Sequence, residues 1–309
     1  MRSVRLSQRL LALMELAKLR VFDMWLGAIV AVAFAMNQPE SSASAVLSFI
    51  LTVLTLVLAV ALTCSLDDIV GLRDGVDARN HRGPARFGVR KPLLDGRLTI
   101  TDAVRFCWLL AAAMVVSAAA AVGLSSAGPG WRLPMLLVVC VLAVTYSWGL
   151  KLSYRGLGGL GVFAMGLGTV VLPCAFAYGS VSAVVWVAGG LVGLWLGQII
   201  MFSNSADAAG DADAGRMTMA ARLSTSGNII FIASVHVLGG LASAALVAAV
   251  CPGWWLLGLS PVWITQAFQL HRGLVQRDWL GARRLGFSIT RLGCVVLMTL
   301  VLAGTVATP

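Results

Sequence analysis

Asp67, Asp68, Asp74 and Asp77 put four carboxylates within eleven residues. Asp207, Asp211 and Asp213 form a second cluster. Together they are seven of the thirteen acidic residues in a chain of 309. Each cluster closes a long apolar run, Val46 to Leu66 for the first and Ala183 to Phe202 for the second. A carboxylate beside hydrocarbon is costly and is seldom placed there without partners. Mg²⁺ takes a few carboxylates together with the phosphate oxygens of a substrate. Two acidic mouths facing one another would suit that chemistry. The pattern predicts a membrane enzyme that binds a diphosphate through Mg²⁺.

The second cluster is the sharper one. Asn204, Asp207, Asp211 and Gly215 follow at steps of three, four and four. On a helix, Asn204, Asp207 and Asp211 share one face and could grip one cation from one side. A polar helix end is the plain alternative, and it accounts poorly for an Asn/Asp stripe with no lysine four residues on. The first cluster carries both signs, with Arg73, Arg79, Arg82, Arg86, Arg90, Lys91 and Arg97 beside the acids. A diphosphate needs cationic donors as well as metal, so mixed signs at one mouth fit it. A solvated loop whose acids balance its arginines is the other reading. Read as helix, the segment sets Asp68, Gly71 and Gly75 on one face. Asp67, Asp74 and (less closely) Asp77 fall on another. Gly83-Pro84 and Lys91-Pro92 then stop the helix.

The elements that must position these groups are apolar. Hydrophobic residues make up 59% of the chain and charged ones 12%, against about 25% charged in soluble domains. Nine apolar segments are predicted, at roughly 21–37, 45–66, 103–124, 133–150, 158–178, 182–203, 228–250, 253–270 and 286–307. Each is long enough, or nearly so, to cross about 30 Å of hydrocarbon as a helix. The weakest are the first, with Asp23 near its start, and the eighth, broken by Pro261. Residues 1–20 mix basic residues with leucines at helical spacing and predict an amphipathic lead-in on the cytoplasmic surface. The fold class expected is all-α: a polytopic membrane protein of nine transmembrane helices around a central cavity.

Charge orients the chain. With the N-terminus inside, 22 of the 23 Lys and Arg residues fall on the inner side, Arg132 excepted. The positive-inside rule then gives a cytoplasmic N-terminus, an outer C-terminus and both acidic clusters on the cytoplasmic face. The net charge of +10 reads as orientation and contact with anionic lipid or substrate. No nucleic-acid recognition module is visible. Six cysteines lie in or beside apolar runs without a CxxC pair and read as small buried hydrophobes. The two clusters stand about 140 residues apart, each after the second helix of a possible four-helix unit. This suggests a single domain built from two such units, about 21–150 and 158–270, plus a ninth helix.

Asn204 to Leu223 carries N-x-x-D-x-x-x-D-x-x-x-G-x-x-T-x-x-x-R-L. At these residues the chain resembles the UbiA superfamily of intramembrane prenyltransferases, most closely its MenA-like branch, which prenylates dihydroxynaphthoate. The first cluster resembles the family's N-D-x-x-D-x-x-x-G-x-D at Asp68, Gly75 and Asp77. Gly83-Pro84-Ala85-Arg86 resembles its G-P-x-R element, and Lys91-Pro92-Leu93 with Gly96 its R-P-L-x-x-G turn. The stretch Tyr146 to Lys151, with Tyr154 and Gly156-Leu157-Gly158, is similar to its Tyr/Lys loop.

The resemblance implies Mg²⁺ held by Asp68, Asp77, Asp207 and Asp211. It implies diphosphate contacts from Arg79, Arg82, Lys91, Lys151 and Asn204. Tyr146 would lie near the reacting carbon, and Tyr146 and Lys151 would be the catalytic pair. The partners implied are an isoprenyl diphosphate, an aromatic or other small acceptor, and membrane lipid around the prenyl tail. Three departures stand out: Asp67 replaces the family's Asn, Gly71 its central Asp, and Gly159 the Glu usual in MenA-like proteins. Asp67 or Asp74, each about one turn from Gly71, would then stand in as a ligand. UbiA-type terpene cyclases carry Gly or Ala at the position of Gly71, so cyclisation without an acceptor is the alternative reaction. Trp148, Tyr178, Trp195 and Phe202 are candidates to face an allylic cation, with ordinary packing as their plainer role.

Overall fold

The computed structural model describes residues 6–19, 23–38, 42–81, 91–125, 128 and 130–303. Among the described residues the regular elements are all helical. They are α1 (Leu6–Leu16), α2 (Gly27–Met36), α3 (Ala43–Arg73), α4 (Val76–Asn80), α5 (Ile100–Leu124) and α6 (Arg132–Thr145). After these come α7 (Gly158–Tyr178), α8 (Ala183–Asp213), α9 (Met219–Arg222), α10 (Thr225–Val250), α11 (Trp254–Leu270) and α12 (Trp279–Leu302). Side-chain caps mark several starts, as Ser, Thr and Asp can bond the free N–H groups there. Ser42, Thr99, Ser224 and Asp278 each accept from a backbone N–H of the first turn.

All nine apolar segments contain a helix, but they differ in reach. Among the described residues, six helices are long and apolar enough to cross a membrane: α3, α5, α7, α8, α10 and α12. The first segment yields only the 10-residue α2. Its start is spent on a 3-10 turn at Asp23–Trp25, where Asp23 accepts a hydrogen bond from Arg291 Nε at 2.6 Å. α6 has 14 residues and α11 has 17. Pro261 does not break α11, as the sequence suggested; it sits inside the helix. Proline cannot bond the carbonyl four residues back. Here that carbonyl, on Leu257, accepts the Ser260 hydroxyl at 2.7 Å instead.

α7 and α8 form the centre. Their apolar stretches are 78% and 72% buried, against 17% for α10 and 28% for α5. Glycines let the two central helices approach closely: a Cβ on Gly193 would stand 2.5 Å from the Phe163 carbonyl. α3 packs on α5, α6 and α7, while α12 packs on α8, α11 and α2. Outward-facing residues such as Trp108, Leu109, Val116 and Leu257 are exposed, the arrangement of a helix that meets lipid rather than water. The six cysteines are free, in keeping with their reading as small hydrophobes.

The lead-in helix packs on α3 and α5. Ala12, Leu16 and Ala17 are buried against Ala59, Leu62, Ile69 and Leu98. Glu15 pairs with Arg97. One side of α1 is therefore packed on the protein, while Leu10, Leu11 and Met14 on the other side are exposed. Apolar area on α1 buried against α3 and α5 accounts for the docking.

Candidate functional site

α3 continues beyond its apolar part and carries Asp67 and Asp68. It ends at Arg73, and Gly75 then adopts the left-handed region at φ 75°, which glycine enters without a Cβ penalty. The turn reverses the chain into α4. The single continuous helix expected here is therefore broken, and Asp77 folds back toward α3. A Cβ on Gly71 would lie 2.9 Å from the Asp77 carboxylate. Neither Asp67 nor Asp74 fills the space beside Gly71; Asp77 does.

Along α4, Asp77, Asn80 and His81 share a face by helical spacing and line a cavity of about 120 Å³. Arg79 falls on the other face, is exposed, and donates to the Asp74 carbonyl at 3.3 Å. It does not line the cavity, contrary to the diphosphate role expected of it. Arg82 lies outside the described residues.

α8 supplies the opposite wall. Asn204, Asp207 and Asp211 line the same cavity, as their three- and four-residue steps predict. Asp211 is braced from both sides. Asn80 donates to its Oδ1 at 2.8 Å, and the Thr218 hydroxyl to its Oδ2 at 3.4 Å. The Asn80 amide reaches it over Gly210, where a Cβ would stand 2.0 Å from Asn80 Oδ1. One bond thus joins the two acidic segments, 131 residues apart.

The first segment is saturated with lysine. Lys91 donates to Asp68 Oδ1 at 2.7 Å and to Asp77 Oδ1 at 2.9 Å. Lys18 stands 2.7 Å from the same Asp68 oxygen and 4.0 Å from Asp67 Oδ2. Lys18 was not among the sequence candidates. It leaves α1 at φ 53°, a left-handed conformation that costs a residue with a Cβ about 1–2 kcal/mol, and its side chain is buried. Burial opposes its charge, but Asp68 and Asp67 more than offset that, holding its ammonium well above the ordinary lysine range. Burial pushes the Asp77 carboxyl up; Lys91 opposes this, and the charges of Asp68 and Asp67 add to it.

Arg216 is the other group the sequence reading missed. It directly follows Gly215, which continues the spacing of Asn204, Asp207 and Asp211 just past the end of α8, and that adjacency was the available signal. It lines the cavity and reaches Asp67 Oδ1 at 3.4 Å. Ser147 donates to that same oxygen at 2.6 Å. Burial again works against the cation, and Asp67 outweighs it, keeping Arg216 above the usual arginine range.

Tyr146 is buried and lines the cavity. Gly158 and Gly161 pack beside its ring and hydroxyl; a Cβ on Gly158 would stand 3.2 Å from the hydroxyl. Lys151 does not reach the cavity. It pairs with Asp74 at 2.8 Å and lies over the Tyr154 ring at 4.6 Å, half-exposed. Asp74 is likewise outside the cavity lining. Trp195 and Phe202 are fully buried packing residues, Trp148 is exposed, and none of the four aromatic candidates lines the cavity.

The donor set suits a metal unevenly. Asn204, Asp207 and Asp211 offer hard oxygens on one wall. Mg²⁺ usually binds through one or two carboxylates and completes its shell with water or phosphate oxygens. No three His, Cys, Asp or Glu side chains among the described residues are grouped so as to hold an ion by themselves. The second segment fits Mg²⁺. In the first segment, Asp68 and Asp77 are already bonded to ammonium groups.

A family model described as the UbiA prenyltransferase family matches residues 24–304. Solved structures share the fold at low identity. A digeranylgeranylglyceryl phosphate synthase superposes with a TM-score of 0.62 at 14% identity, covering 96% of this chain and 99% of that one. A UbiA homologue from Archaeoglobus fulgidus bound to DMAPP and Mg²⁺ gives 0.57 at 12%, covering 92% and 98%. The apo structure of a UbiA homologue from Aeropyrum pernix K1 gives 0.56 at 13%, covering 89% and 96%. No curated protein matches the sequence significantly.

Proposed function

The chain belongs to the UbiA prenyltransferase family, and we propose that it ionises an isoprenyl diphosphate with Mg²⁺ and transfers the prenyl group to an electron-rich acceptor. One observation carries this reading: α4 and α8 turn carboxylates toward a single cavity that Lys91 and Arg216 also reach. Mixed charge of that kind suits a metal-bound diphosphate. The homologue from Archaeoglobus fulgidus bound to DMAPP and Mg²⁺ supports the same class of ligand.

Asn204, Asp207 and Asp211 would hold Mg²⁺, which when bound supplies positive charge to the leaving diphosphate. Lys91 and Arg216 donate N–H groups to the remaining oxygens. The allylic C–O bond breaks and its electron pair departs with the diphosphate. Tyr146 walls the reacting carbon. The acceptor ring then forms the new carbon–carbon bond and loses a proton. With the basic loops on the cytoplasmic side, the chemistry takes place at that face.

Cyclisation is the second reading, and Gly71 is what favours it. The approach of Asp77 gives Gly71 a packing reason of its own, so transfer is preferred. The test is a product assay on detergent-purified protein with Mg²⁺ and isoprenyl diphosphates of several lengths, followed by released diphosphate and mass spectrometry. Turnover only when an aromatic acceptor is added supports transfer. A cyclic hydrocarbon or terpene alcohol formed without acceptor overturns it in favour of cyclisation. No diphosphate release under any condition removes both.

A further inference from the structure

The first acidic segment holds more negative charge than one lysine balances. Asp67, Asp68 and Asp77 converge there, and Lys91 bonds two of them. The second cation comes from outside the segment. Lys18 lies about 50 residues upstream, at the end of α1, and is carried in by the docking of Leu16 and Ala17. Its Nζ reaches the same Asp68 oxygen that Lys91 uses, at 2.7 Å. Asp68 Oδ2 is buried without a hydrogen-bond partner. Asp68 thus faces ammonium groups on one oxygen and enclosure on the other, and it does not line the cavity. In the second segment, Asp211 accepts hydrogen bonds from the neutral donors Asn80 and Thr218.

We infer that Lys18 is a built-in cation that takes, at the first acidic segment, the place of a divalent ion, so that this chain binds metal through the second segment alone. The inference rests on the reading of the cavity as a Mg²⁺–diphosphate site. Asp68 is then a positioning residue for Lys18 and Lys91 rather than a metal ligand. The left-handed backbone of Lys18 is the conformation that carries its side chain inward.

The test counts Mn²⁺ on full-length, detergent-purified protein by electron paramagnetic resonance, independently of turnover. The wild type should bind one Mn²⁺ per chain at the site. Lys18→Met should bind a second, and its thermal midpoint should rise with Mn²⁺ more steeply than that of the wild type. Asp68→Asn should bind as many Mn²⁺ as the wild type, with affinity unchanged within about twofold. An unchanged count in Lys18→Met, or an ion lost in Asp68→Asn, overturns the inference. If Lys18→Met does not yield folded protein, Asp68→Asn decides alone. A wild type that binds no Mn²⁺ overturns the functional reading as well, which separates the two failures.

Discussion

Gly71 and Asp77 are in contact across the turn at Gly75: any Cβ on residue 71 would stand 2.9 Å from the Asp77 carboxylate. Such a distance forces something to move. Gly71→Ala should therefore push Asp77 off Lys91 and cost about 1–3 kcal/mol of stability, the usual cost of overpacking. Activity should fall further than stability, since Asp77 faces the cavity. Gly71→Asp, which would restore the family's central acid, should lower activity rather than raise it. Denaturation midpoints and diphosphate release on the two variants check this. Full activity in Gly71→Asp would show that Asp77 is free to move aside.

Gly210 plays the matching part on α8. A Cβ there would overlap the Asn80 amide, at 2.0 Å from Oδ1, and the Asn80 amide N–H is what joins α4 to Asp211. Gly210→Ala should break that link and reduce turnover at least about tenfold, a loss of about 1.4 kcal/mol in transition-state stabilisation. Asn80→Ala should reproduce the loss without the overlap. If Gly210→Ala is impaired and Asn80→Ala is not, the bond between the segments is irrelevant to activity.

The helices were legible in the sequence because hydrocarbon demands long apolar runs, and each of the nine runs contains a helix. The α8 stripe was legible for a related reason, since one continuous helix keeps Asn204, Asp207 and Asp211 on one face. Asp77 was misplaced because spacing along a helix says nothing once Gly75 reverses the chain. Lys18 was illegible: a lysine among leucines in a basic terminus looks like a membrane-surface residue, and only the tertiary docking of Leu16 and Ala17 brings it to Asp68. Arg79 and Lys151 show the converse. Motif position suggested the cavity, whereas helix phase sends Arg79 outward and Asp74 holds Lys151 at the rim.

The Lys151–Asp74 pair gives a dependence on pH. Burial alone would raise the Asp74 carboxyl, but the hydrogen bond from Lys151 and the charges of Lys151 and Arg73 outweigh it and hold Asp74 below the usual carboxylate value of 3.8. A depressed value means the folded state favours the ionised form. The stabilisation is therefore present above about pH 4 and is lost as pH falls through the folded-state value. Thermal unfolding followed from pH 6 downward should show a shallower acid loss in Asp74→Asn than in the wild type. Both groups are partly exposed, so the difference should be small and should shrink in high salt. Equal slopes would mean that the pair contributes nothing to stability.

Asp207 and Asp211 should separate activity from stability. Both are one face of α8, and Asp207→Ala or Asp211→Ala should each remove at least about 100-fold of turnover, as expected when a group that organises charge around a leaving diphosphate is deleted. Their structural surroundings differ. Asp211 is buried and accepts from Asn80 and Thr218, so its removal strands two donors and should cost about 1–3 kcal/mol. Asp207 is only half-buried, and its removal should cost less stability than that of Asp211. Adding Mg²⁺ up to tens of millimolar should recover part of the turnover of Asp207→Ala, because one oxygen ligand lost weakens a site without abolishing it. Asp211→Ala should recover less, since α4 loses its tether as well. Full turnover in Asp207→Ala at low Mg²⁺ would take the metal away from the α8 stripe.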